Sequence, residues 1–565
     1  MSFPPQFLTH FERSNFLESP DYNETMKYFK QFESTGKAEM FTFGVSPQGR
    51  DLKFIVVGEG DFSPQAARAN GKVVVLIQNG IHAGEIEGKD ASMLLLREIL
   101  VTGERAHLLE NCVLVIIPIL NVDGHERTSP FNRPNQNGPV NMGWRTTSWN
   151  LNLNRDYMKA DTSEMRSLLQ LYASWQPDFF IDNHTTNGAD YQYHVTYGIE
   201  THQNIDGGLA SWARQELMPH VIGQVEAEGF ITGPYLEMRG TDLAEGITDW
   251  PALPRYSSGY AALQNRLLLL VETHSLKPFG NRVLSTKAMN AAALEFINAH
   301  HNDLKSSNYY ADSHTVHDYL HDRKPFPLVF EGTDQFEKFR FKGFVTVERE
   351  SEITGSTVPE YSAIPREFDI PLYDKAEVKV EVEVPFAYVI PREFASLADT
   401  LRLHDIEVKT IMEPETVSAE RYRFTDAEFA QRPYEGRQRV ACDVEKFVES
   451  IILPEGAFVV YTQQRALRVI MHLLEPQSPD SFVSWGFFNA FFERKEYAEP
   501  YIMDPIAQQM LEQNPTLREE FEARLEDDET FAKDAGLRLN FFYERSPYFD
   551  KGERVYPIMR LPHKG

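Results

Sequence analysis

The chain reads as an α/β protein with a mixed, largely parallel sheet covered by helices on both faces, followed by a β-rich and an α+β accessory region. Three observations predict this. In the first half, apolar runs of strand length alternate with segments whose apolar residues recur at helical spacing. Those runs hold few polar residues, as strands do when both sheet faces are covered. Beyond about residue 310 the texture changes, and valines 378, 380, 382 and 384 alternate with charges, which is the pattern of a strand with one solvated face.

Taken in order, 72–78 (KVVVLIQ) is a buried strand and 86–100 the helix after it. Residues 112–120 (CVLVIIPIL), 179–182 and 267–271 (LLLLV) are further strands, with helices predicted over 163–175, 210–228 and 286–300. Residues 385–411 read as strand, helix, strand, and 511–525 as one acidic amphipathic helix. Residues 458–474, with the aromatic residues Trp485, Phe487, Phe488, Phe491 and Phe492, suggest a separate core. With 565 residues, several domains are expected: a leader segment 1–20, the α/β domain 21–305, a β-rich region 306–440 and an α+β region 441–565.

Acidic residues number 83 against 56 Lys and Arg, a formal charge of −27, which repels nucleic-acid phosphates and anionic lipid. Nucleic acid is therefore excluded as an expected partner. No apolar stretch is long enough to span a bilayer, and the first twenty residues form no signal-peptide core. Cys112 and Cys442 cannot make a disulfide framework. A cytoplasmic location is expected for the chain as it stands, and a periplasmic or secreted one if a leader precedes it.

The residues that carry chemistry stand at strand ends. His-x-x-acid spacing alone is weak, since about two or three matches arise by chance in a chain of this composition. The matches at His107/Glu110, His404/Glu407 and His472/Glu475 read as ordinary helix or core positions. His82 and Glu85 differ because they lie in QNGIHAGEIEG, a glycine-flanked turn between a buried strand and a helix. His184 follows the strand FFID, and Glu272 closes LLLLVE. Ligand sites of open α/β sheets lie at such carboxyl edges. Two histidines and one glutamate with an open fourth position are the donor set of catalytic zinc. His314, His317 and His321 share one helix face, where a solvated or interdomain role is expected.

The ordered elements HAGE (82–85), NVDG (121–124), Asn154-Arg155, His184 and Glu272 resemble the zinc carboxypeptidase A-like family over roughly residues 25–305, including GVSPQGR (44–50) near the start. The resemblance implies one Zn2+ on His82, Glu85 and His184, with Glu272 as general base. It implies that Arg145 stabilises the oxyanion, and that Asn154 and Arg155 bind a free C-terminal carboxylate. Tyr256, with Tyr260 as rival, would close over the substrate. The implied substrate is a peptide or N-acyl amino acid with a free carboxylate. Asn152 departs from the family's aspartate two residues before the Asn-Arg pair, so His82 would be oriented by an uncharged amide. Two other readings are an amidase or deacylase acting on cell-wall peptides or N-acyl amino acids, and a receptor with a decayed centre. Intact Glu272 argues against the receptor.

Overall fold

The computed structural model describes residues 3–563 apart from 236 and 241. Eight strands form the main sheet: β1 (Ala38–Val45), β2 (Asp51–Val57), β3 (Val73–Asn79), β4 (Cys112–Ile117), β5 (Phe179–Thr186), β6 (Val195–Gly198), β7 (Thr232–Pro234) and β8 (Leu267–His274). Their order is β1-β2-β4-β3-β5-β8-β6-β7. The centre, β4-β3-β5-β8, is parallel, while β1/β2, β2/β4 and β8/β6 are antiparallel.

Every residue of β3 is buried, and the strand's period of two divides it between two cores. Val74 and Leu76 face the helices Ser163–Trp175 and Ser257–Leu263. Val73, Val75 and Ile77 face Glu87–Leu100, Met218–Ala227 and Phe279–Ala299. This is the two-sided cover that the polar-poor strands predicted. Helix Ser163–Trp175 begins where the Thr162 hydroxyl accepts the Met165 amide and ends at Gln176, whose φ of 44° is left-handed.

After residue 385 the chain builds a six-stranded sheet whose order is Lys409–Thr410, Phe458–Tyr461, Ala387–Ile390, Met559–Leu561, Glu415–Phe429, Val440–Leu453. The strand, helix, strand expected over 385–411 is present as Ala387–Ile390, Ala395–Leu403 and Lys409–Thr410. Two expectations need correction. A boundary at 440 would cut this sheet, because Glu415–Phe429 pairs antiparallel with Val440–Leu453. Nor is the later core separate: one cluster runs from Val74 and Leu168 through Tyr388 and Leu401 to Ile470 and Phe482. An apolar helix such as Leu467–Leu474 has the same sequence whichever sheet it covers, so its pattern cannot say which core it joins.

The acidic helix expected over 511–525 is two helices, Pro500–Gln513 and Pro515–Asp527. Pro515 has no N–H to continue the first, and the Asn514 side chain instead caps the second through the Leu517 amide. The valine-alternating strand is Ala376–Val382, paired with Phe326–Gly332. A long ribbon, Glu337–Ser351 with Ser356–Tyr373, forms a four-stranded sheet with Ile247–Thr248 and Glu237–Met238, and its Gly343 bridges Tyr191 in the loop after β5. Among the described residues no helix is long and apolar enough to cross a membrane.

A continuous core implies cooperative melting. Ile470→Ala, at a fully buried position in the later region, is expected to cost about 2–5 kcal/mol. Calorimetry should show one transition shifted as a whole, with no early unfolding of residues after 385.

Candidate metal centre

The parallel centre of the sheet ends in a single crevice. After β3 the chain turns through Gly80, at φ +64°, and presents His82 and Glu85 before helix Glu87–Leu100 begins. That helix sits close on the sheet because Gly88 has no side chain: a Cβ there would lie 2.2 Å from Asn79 Oδ1. On β5 and β8, His184 and Glu272 are register partners, so adjacent parallel strands carry them to the same level of the edge. Asp182 lies two residues before His184 and so on the same sheet face.

His82 Nδ1 and His184 Nδ1 each stand 3.1 Å from one atom, Glu85 Oε2. All three side chains are buried, and their ligand atoms lie within 4.8 Å of one another. The outer ring nitrogens are held from behind, His82 Nε2 by Asn152 Oδ1 at 3.0 Å and His184 Nε2 by Asp182 Oδ2 at 2.8 Å. Both holders accept hydrogen bonds, so in a neutral ring each Nε2 carries the proton and each Nδ1 aims a lone pair at the carboxylate. Lone pairs converging on an anionic oxygen repel one another unless a cation takes their shared point. Two imidazoles and a carboxylate converging in a cleft are the donor set that suits zinc.

Electrostatics points the same way. Burial pushes His82 down to about 4, so it is neutral at physiological pH. Burial also disfavours charge on His184, but Asp182 and Glu85 outweigh it and hold that ring well above its usual range. Glu85 is driven well below the carboxylate range: burial raises it, yet His82, Arg133 and His184 together prevail. Glu272 goes the other way, to about 8, through burial and the neighbouring Glu85 and Asp182 charges, although His184 pulls it down. Its Oε2 is buried without a hydrogen-bond partner among the described residues.

The remaining expected residues border the same cleft, of about 690 Å³. Arg145 Nη1 lies 3.1 Å from Glu85 Oε1, the oxygen that the imidazoles do not share. Asn154 Oδ1 accepts the Ser257 amide at 2.9 Å. The Arg155 guanidinium lies over the Tyr256 ring, 4.4 Å from its centroid, and donates from Nη1 to the Asn154 carbonyl. Tyr256 is the residue preceding helix Ser257–Leu263, so it backs Arg155. Tyr260 is no substrate cap, since it is buried with its hydroxyl on His404 Nδ1 at 3.0 Å. Asp123 of NVDG is buried and accepts from Ser46, Gln48, Arg50 and Ser148, a structural role, and Val122–Glu126 is a short helix capped by Asn121. His317 and His321 gather with Asp322 on an exposed turn, while His314 faces Asp206.

Sequence reading missed three residues. Asp182 had a signal in the alternation D-x-H within a strand. Arg133, 2.8 Å from Glu85 Oε1, stands in a Pro- and Asn-rich loop with none. Tyr235 borders the cleft beside Glu272, and burial with that neighbouring charge raises its phenol far above the usual range.

Residues 25–204 match the family model described as zinc carboxypeptidase. Over that segment, which holds His82, Glu85 and His184, the chain is similar to zinc carboxypeptidases. Carboxypeptidase 2 of Trichophyton rubrum is 23% identical over 496 residues, spanning 84% of this chain and 85% of that protein. The metallo-carboxypeptidase of Pseudomonas aeruginosa, solved with (2-guanidinoethylmercapto)succinic acid, is 17% identical, covers 50% of this chain and 69% of that one, and has a TM-score of 0.37. Carboxypeptidase A of Helicoverpa armigera is 16% identical over 52% of this chain and 74% of its own, with a TM-score of 0.36. Within the matched segment, His82, Glu85 and His184 form a buried donor group that can hold one zinc ion.

The outer holders set how basic the imidazoles are. Asp182→Ala is expected to weaken zinc retention by about 10- to 100-fold, measured by competition with a chromogenic chelator. Asn152→Asp, which restores charge behind His82, is expected to tighten it in the same assay.

Proposed function

We propose that the protein removes the C-terminal residue of peptides or N-acyl amino acids that carry a free α-carboxylate. The observation that carries this reading is the pairing, in one cleft, of a buried Glu272 oxygen without a partner among the described residues and an Arg155 guanidinium held at the wall. A base beside a metal serves any amide, whereas an arginine fork selects substrates that end in an anion.

Arg155 binds the terminal carboxylate, and Asn154 secures its surroundings by anchoring helix Ser257–Leu263. That places the last peptide bond near Glu272. When bound at His82, Glu85 and His184, zinc supplies Lewis acidity: it polarises a carbonyl and lowers the pKa of water to about 7. Glu272 removes the proton of the attacking water and delivers it to the departing amine. Its raised pKa suits both acts, because a carboxylate near 4.5 is too weak a base at neutral pH. Arg145 is partly exposed at the cleft and stands where a cation meets charge growing on the carbonyl oxygen.

Zinc-loaded protein given a panel of N-blocked dipeptides is expected to release the C-terminal amino acid, and dipeptide amides should be spared. Release from amides at equal rates, or none from either set beside turnover of cell-wall peptides, would move the assignment to an amidase. Glu272→Gln should lower kcat by at least about 10²-fold with zinc still bound.

Acidity should silence the enzyme. Glu272 acts as base only when ionised, so kcat/KM is full above its pKa and falls as pH drops through it. Burial and the nearby carboxylates raise that value to about 8, and the charge of a bound metal lowers it from there. A pH–rate profile with no acid limb would contradict Glu272 as the ionising base.

A further inference from the structure

The sheet built after residue 385 sends one turn into the first domain's site. Between strands Glu415–Phe429 and Val440–Leu453, Tyr434 and Arg437 exchange both backbone hydrogen bonds, at 2.9 and 3.1 Å. The two residues between them, Glu435 and Gly436, have φ of 49° and 75°. Positive φ at both central positions is the mark of the two-residue turn whose twist matches its flanking strands.

Each polar side chain of this tip takes hold of residues 152–161. Arg437 clamps Asp161 through Nε and Nη2, at 2.7 and 2.6 Å. Glu435 Oε2 accepts the Asn152 amide at 2.8 Å. Tyr434 accepts a hydrogen bond from Arg155 Nε at 2.9 Å. Its own seat is firm: the ring stacks on buried Trp485, with centroids 6.0 Å apart and planes 13° from parallel. The Arg255 guanidinium lies over both rings and pairs with buried Asp480 at 2.8 Å.

We propose that Tyr434 is a positioning residue for carboxylate recognition, holding the plane of Arg155 from the far side of the domain junction. This rests on the reading of Arg155 as the group that binds the substrate's terminal carboxylate. With Nε on Tyr434, Nη1 on the Asn154 carbonyl and the face on Tyr256, three contacts set the guanidinium's orientation. Nη2 has no protein partner among the described residues, and it belongs to a residue that borders the cleft. A fork already oriented gives up less freedom when it binds, so its partner improves affinity more than turnover. Simple domain glue would act differently, on melting temperature and not on KM.

The test is a double-mutant cycle on the zinc-loaded full chain, with an N-blocked dipeptide as substrate. Tyr434→Phe keeps the ring stack and removes only the hydroxyl. It is expected to raise KM about ten-fold, with kcat changed by less than about two-fold. The rise should vanish when Arg155 is already Lys, because the hydroxyl acts through that side chain. Asp161→Asn, which loosens the tip without touching Tyr434, is expected to move KM in the same direction and serves if the phenylalanine variant does not fold. An unchanged KM in Tyr434→Phe, or the same rise in the Arg155→Lys background, overturns the proposal while leaving the carboxypeptidase reading intact. A wild type that releases no amino acid from any substrate with a free carboxylate removes both.

Discussion

Two imidazole nitrogens converge on one carboxylate oxygen, and much of the structure exists to keep that costly convergence in place. Buried polar atoms are expensive unless satisfied, and three of them facing one point can be satisfied together only by a positive charge. The sheet supplies the rigidity. His184 and Glu272 are register partners on neighbouring strands, and the turn from β3 brings His82 and Glu85 to the same edge. Asn152 and Asp182 then set the tautomers from outside, so the inward lone pairs cannot rotate away.

The charge of the whole chain runs against the task of its cleft. A protein at −27 repels an anionic substrate at long range, yet Arg145 and Arg155 line the cleft among its acids and offer an anion direct cationic contacts. At physiological ionic strength the distant acids are screened beyond about 8 Å, whereas the arginines act at contact. Burial sharpens the effect, since the same low-dielectric setting that lifts Glu272 strengthens attraction to a bound carboxylate.

The sequence disclosed the parts of this arrangement that are local. Buried parallel strands announce themselves by polar-poor runs, and the polar residues that end or follow those runs fall on the carboxyl edge. His82, Glu85, His184 and Glu272 were legible for that reason. What stayed hidden depends on contacts between distant segments. Arg133 reaches Glu85 from a loop without pattern, Tyr235 lines the cleft that Glu272 borders, and Tyr434 meets Arg155 from another sheet, 279 residues along the chain. The accessory core was misread for the same reason, because helix Leu467–Leu474 shows an apolar surface without showing what covers it. Pro515 was a readable stop, and its local veto on helix continuation outranks the amphipathic pattern around it.

Asn152 is better understood as a balance than as a loss. Glu85, Asp182 and Glu272 already place three carboxyl groups around one buried point, and two of them raise Glu272. A fourth charge behind His82 would make that imidazole a stronger ligand, but the same charge would add to the field that disfavours ionised Glu272. An amide oxygen still accepts the ring proton and the Asn154 amide, so the tautomer is fixed without the charge. Basicity of the ligand and readiness of the base therefore pull in opposite directions at this one position. The accessory sheet enters here as well, for Glu435 holds the backbone of Asn152. The uncharged holder thus gains in placement part of what it lacks in field.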